Sequence, residues 1–181
     1  MKSLFAISLL FFSAMLHAQS GVESADKIMA DAYKQAKAEK KNVILMFHAS
    51  WCGWCHRMDA AINDESCKKL FADNYVIVHL TVDESEKNKN LENPGAVEIR
   101  SKYHGDKAGL PFWLILDNNG KLLGDSYIRP EGVSLDVPGD NIGCPAEPGE
   151  VAAFVKLLKN SSSLNDKELE IISARFKKNK T

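Results

Sequence analysis

This 181-residue sequence predicts an α/β fold with a central mixed sheet and helices on both of its faces. Three apolar runs carry that expectation: Val43–Phe47, Tyr75–Val82 and Phe112–Leu116. Runs without polar alternation suit strands buried on both faces. The first two enclose a stretch of helical spacing, and such a βαβ unit requires parallel neighbours joined by a right-handed crossover. The third runs into Asp117-Asn118-Asn119-Gly120, a strong turn signal, and a returning strand to about Tyr127 completes a hairpin.

The helices follow from periodicity and caps. Ala25, Ile28, Met29, Ala32, Tyr33 and Ala36 recur at helical spacing, with Ser24 or Asp26 available as cap, so a helix leads into the first strand. Met58, Ala61 and Ile62 place a second helix just beyond Cys52, and Asp64 can cap a further turn through Leu70 and Phe71. The polar tract 83–93 reads as loop, and Pro94 suits the first turn of a helix reaching about Tyr103. Residues 129–148, rich in Pro, Gly and Asp, form a long loop. Two helices close the chain, one from about Pro148 to Lys159 and one from about Asp166 to Lys178.

The first residues combine Lys2, an apolar run from Leu4 to Leu16 and a small residue at Ala18. They read as a signal peptide over residues 1–18, the apolar run being short for a membrane span; the other reading is an uncleaved anchor. Residues 19–181 then form one domain, with a core at about 25–160 and a helical extension at about 164–178. Lys and Arg number 23 against 24 Asp and Glu, which gives no support to nucleic-acid or anionic-membrane binding. The ending Lys178-Asn179-Lys180-Thr181 is not an endoplasmic-reticulum retention signal, so the expected location is periplasmic, otherwise secreted.

The chemistry is expected at Trp51-Cys52-Gly53-Trp54-Cys55-His56, directly after the first strand. A thiol is a poor nucleophile until it loses its proton, and unpaired N–H groups at a helix N-terminus stabilise the thiolate. Cys52 is therefore the expected attacking sulfur. Cys55, one turn deeper, would resolve a mixed disulfide formed through Cys52. The spacing by itself also fits zinc sites, and with His56 it matches the signature of covalent c-type haem attachment. Export makes a redox or cofactor role the natural reading of such a pair, since an oxidising compartment turns idle thiols into disulfides.

Two segments far apart in sequence, Phe47–Cys55 (FHASWCGWC) and Asn93-Pro94-Gly95 through Gly109-Leu110-Pro111 to Asn119-Gly120, resemble the thioredoxin family. The resemblance covers roughly residues 25–160. It implies a thioredoxin fold with an added N-terminal helix and C-terminal helix, and a thiol:disulfide oxidoreductase needing no cofactor or metal. It also implies a cis bond before Pro111 beside the cysteine pair, which leaves the Leu110 backbone free to pair with an extended substrate; proline has no N–H of its own and accepts the cis form at low cost. Three departures mark this chain. Gly53-Trp54 stands where cytosolic thioredoxins carry Gly-Pro, Met46 occupies the position of a buried acid, and Cys55-His56 with Arg57-Met58 is closer to exported thioredoxin-like proteins. With Met46 there, His48, His56 or water is left to take the Cys55 proton.

Trp51 is expected to pack under the loop, and Trp54 to stand exposed as a substrate contact or an incidental surface aromatic. His56 can tune Cys52, serve structurally or, on the haem reading, act as an axial ligand. Cys67 and Cys144 are secondary thiols that could pair, lie inert, or in the case of Cys144 approach the site. The reading that results is an exported, monomeric oxidoreductase acting on protein thiols and disulfides and recycled by a membrane or soluble redox partner. A c-type haem carrier and a non-catalytic binding module on the same scaffold are the rival classes.

Overall fold

The computed structural model describes residues 21–180, so the signal-peptide expectation lies outside the described residues. Ser24 caps α1 (Ala25–Glu39), accepting from the Lys27 N–H, and the helix buries Ala25, Met29, Ala32 and Ala36. Strand β1 (Asn42–His48) follows, buried at every position from Val43 to Phe47. It pairs in parallel with β2 (Tyr75–Thr81) and antiparallel with β3 (Phe112–Leu116), which pairs in turn with β4 (Leu122–Asp125). The sheet order is β2-β1-β3-β4, a mixed sheet with one parallel pair.

Alternation along β1 divides the core. Ile44 and Met46 face α2 (Gly53–Ile62), α5 (Pro148–Ser161) and α6 (Asp166–Phe176), where Trp113, Phe154 and Phe176 pack together. Val43, Leu45 and Phe47 face α1 and α4 (Ala96–Lys102) on the other side. This places helices on both faces, as the sequence predicts, and α3 (Lys68–Asn74) leads into β2.

Three boundaries differ from the sequence reading. The tract at 83–93 holds a short 3-10 helix, Glu86–Leu91. Pro94 does not enter α4, because Gly95, at φ 87°, caps that helix and only then does it begin. The long loop folds back so that β6 (Asp140–Asn141) within it pairs with β5 (Tyr127–Ile128) just before it, forming a two-stranded ribbon. It is fastened by a bidentate pair between the buried side chains of Arg129 and Asp125, at 2.7 Å on each arm. Among the described residues no helix is long and apolar enough to cross a membrane.

Two contacts yield measurable consequences. A Cβ at Gly105 would lie 2.5 Å from the Phe112 ring and 2.6 Å from Arg100 Cγ. Phe112 is fully buried, so Gly105→Ala should cost about 1–3 kcal/mol of overpacking, read as a lower denaturant midpoint at unchanged slope. Asp64 accepts from the Ser66 hydroxyl and N–H and from Arg175 Nε on α6, and these bonds hold its carboxyl down at about 2. A depressed carboxyl stabilises the fold above its unfolded pKa and stops doing so as pH falls through its folded pKa. Thermal stability should therefore decline between about pH 4 and pH 2, and Asp64→Asn should flatten that part of the profile.

Candidate active site

Strand β1 ends at His48, and the next residues turn the chain into α2. Cys52 is the N-cap of that helix, with backbone φ −79° and ψ 96°, and its Sγ accepts from the Cys55 N–H at 3.1 Å. An N–H aimed at sulfur from the first turn of a helix is the arrangement that favours a thiolate once the pair is reduced. Here the two sulfurs are joined, with the Cα atoms 5.2 Å apart. Cys55 is wholly buried and Cys52 nearly so, both packed against Ala49 and Leu110.

Pro111 follows a cis peptide bond from Leu110, as expected. Leu110 packs against the cluster of Ala49, Cys52 and Cys55, bringing the second sequence segment onto the first. No hydrogen bond joins the Leu110 N–H or C=O to the described residues, while Asn141 Nδ2 donates to the carbonyls on either side, Gly109 at 2.7 Å and Pro111 at 3.3 Å. A groove beside this segment runs between Trp54, Leu110 and the 141–147 loop, with Glu147 and Glu150 at its rim.

The loop before Cys52 is held by polar contacts that the sequence did not reveal. Ser50 donates its N–H to Glu84 Oε1 at 2.5 Å and its hydroxyl to Oε2 at 2.7 Å. The Ser50 carbonyl accepts from His56 Nε2 at 2.9 Å, so every polar group of Ser50 is engaged. The bond from the Ser50 N–H is the main cause that holds the Glu84 carboxyl below the usual range. Asp83 contributes its carbonyl to the Trp51 indole N–H at 2.8 Å and its carboxylate to Arg100. Residues 83–84 lie in a polar tract with no local motif, and only the register of β2 beside β1 brings them to Ser50.

Trp51 corrects an expectation. It does not pack under the loop but is 60% exposed, tethered through its indole N–H alone. Trp54 is 47% exposed, as expected, with the Arg57 guanidinium 4.6 Å from its ring. Gly53 lies between them in open space. His56 turns back to Ser50 rather than outward.

That arrangement does not fit covalent haem attachment. The two cysteines are bonded to each other and covered, and the His56 ring nitrogen is committed to a backbone carbonyl. Nor do His, Cys, Asp and Glu side chains gather in a metal-binding group among the described residues. Cys67 and Cys144 are free, buried thiols. Burial pushes both up, Cys144 to about 12, so neither supplies thiolate near neutral pH. Asn179 from the C-terminal segment seals Cys144, donating to its sulfur at 3.3 Å.

A family model described as thioredoxin-like matches residues 25–118, slightly more than half of the chain and inclusive of both cysteines and Pro111. No curated protein matches the sequence. Among solved structures, a disulphide isomerase from Xylella fastidiosa Temecula1 is 23% identical over 66% of this chain and 80% of its own, with a TM-score of 0.46. The DsbH oxidoreductase is 23% identical over 80% and 85%, at 0.45. The oxidised C-terminal domain of Neisseria meningitidis DsbD is 16% identical over 78% and 99%, at 0.43. With its mixed sheet, its helix-capping cysteine pair and the family match over residues 25–118, the chain belongs to the thioredoxin-like family.

Proposed function

We propose that the protein is an exported thiol:disulfide oxidoreductase that exchanges the Cys52–Cys55 disulfide or dithiol with protein thiols. The observation that carries this reading is the Cys55 N–H directed at Cys52 Sγ in the first turn of α2. In one direction a partner thiolate attacks Cys52 Sγ of the oxidised pair and Cys55 leaves as thiolate. In the other, reduced Cys52, so placed, attacks a sulfur of the partner's disulfide, the partner's other sulfur leaves as thiolate, and a mixed disulfide forms. Cys55 then attacks Cys52 Sγ, the partner's thiolate leaves, and the internal disulfide re-forms.

Trp54, Leu110 and Pro111 receive the partner's chain on this reading, with the unpaired Leu110 backbone offering an edge for an extended segment. Trp51, Gly53 and His56 shape and tune the loop. Two electrons reside in the sulfur pair, so no cofactor or metal is called for. Removal of residues 1–18 after export would leave residues 19–181 as a single monomeric domain, periplasmic or secreted and recycled by a membrane or soluble redox partner. Lys2 and the apolar run 4–16 support that assignment.

Brief alkylation of the reduced protein near pH 7 should label Cys52 much faster than Cys55, Cys67 or Cys144, as peptide mass spectrometry would show. Comparable slow labelling of all four would instead favour a binding module with a structural disulfide. Replacing Cys55 by Ala should trap mixed disulfides through Cys52 with thiol-bearing proteins, visible as reductant-sensitive adducts on gels. The reduction potential of the pair decides the direction of electron flow, with about −270 mV typical of reductants and about −120 mV of strong oxidants.

A further inference from the structure

The resolving step requires Cys55 to lose a proton although its side chain is wholly buried. The strand residue facing α2 at this level, Met46, has no group to accept one. The register sets His79 of β2 beside Met46, and His79 Nε2 lies 2.8 Å from Asp59 Oδ1 on α2. Asp59 is four residues beyond Cys55, so their Cβ atoms are about 5–6 Å apart on one face of the helix. The His48 ring packs edge-on to His79 at 5.1 Å and shares a hydrogen bond with the Thr81 hydroxyl. An Asp-His-His cluster on the sheet face beneath α2, beside an otherwise apolar core, invites a chemical explanation.

We propose that the Asp59–His79 pair, backed by His48, takes up the proton that Cys55 releases as it resolves the mixed disulfide; the inference rests on the redox reading above. The Cys55 S–H bond breaks, its proton passes to the pair, and neutral imidazole beside carboxylate becomes imidazolium beside carboxylate. The Cys55 thiolate forms its bond to Cys52 Sγ, and the Cys52-to-partner bond breaks with its electron pair leaving on the partner's sulfur. Asp59 and His79 are each about one-third exposed, so the pair returns its proton to solvent.

The surroundings fit this assignment. Burial, and then the neighbouring His79, hold His48 below the usual histidine range, so it is a neutral base near pH 7. Asp59, Glu84 and His56 are the other ionisable groups acting on it, the first two opposing that shift and His56 adding to it. His56 itself is committed to Ser50, and Arg57 lies over the Trp54 ring and donates to the Asn179 carbonyl. Asp59 also acts on the Cys144 thiol, which burial holds at about 12 and so un-ionised near neutral pH.

Oxidised glutathione is the probe. Mixed with reduced full-length protein and quenched with acid at intervals, it reports the lifetime of the Cys52–glutathione adduct by mass. Asp59→Asn, which is nearly isosteric, should lengthen that lifetime about tenfold or more at pH 7. The gap should close as pH rises toward the ordinary thiol pKa, and His79→Gln should behave in the same way. Wild-type lifetimes in both variants, or a slowing of equal size at every pH, would overturn the inference. Cys55→Ser run in parallel must accumulate the adduct. If neither it nor the wild type captures glutathione, the redox reading itself fails and this inference with it.

Discussion

Strand β1 has no face and no edge left for water. It is paired on both sides, and its five central residues are buried, so the chain cannot drift along it by even one position without moving Met46 and Phe47 to opposite cores. Where pairing ends at His48, the backbone must leave the sheet, and it does so at the point where Cys52 can cap α2. The position of Cys52 is therefore a consequence of sheet register, fixed by the same burial that holds the domain together.

A register-locked strand still needs a rigid exit, and the 83–92 segment supplies it. Glu84 takes both donors of Ser50, while its own N–H goes to Glu92 Oε1 at 2.8 Å. Hydrogen bonds to a charged acceptor are about twice as strong as neutral ones, and losing one partner leaves a desolvated group behind. The loop that presents the cysteines is thus held from below by backbone pairing and from one side by a carboxylate. Leu110 and Pro111 close over it from the other, where Asn141 anchors the bend from the neighbouring ribbon. The C-terminal helices add a third support, with Arg175 bound to Asp64 and Arg57 to the Asn179 carbonyl.

Much of this was legible in the order of residues. Unbroken apolar runs marked β1, β2 and β3, Ser24 marked the start of α1, and Asp117 to Gly120 marked the hairpin turn. Cys52 and Cys55 were evident from their spacing after a buried strand, and Pro111 from its distant but specific context. The departures had two different causes. Trp51 was expected to pack under the loop, yet it stands at the surface with its indole N–H bonded to the Asp83 carbonyl. Gly95 displaced Pro94 as the start of α4 because a residue in the left-handed region ends one conformation before the next begins.

Periodicity, turn chemistry and the cysteine pair by themselves determined the class of fold, the order of its elements and the two sulfurs, because each depends on residues near one another in the chain. Only the tertiary structure decided that Glu84 grips Ser50, that Asp59 and His79 meet beneath α2, and that Cys144 is sealed by Asn179. Those contacts join positions 34, 20 and 35 residues apart. A hydrogen bond across such a separation leaves no periodic or compositional trace, since its partners are brought together by strand register and helix packing rather than by their own neighbours.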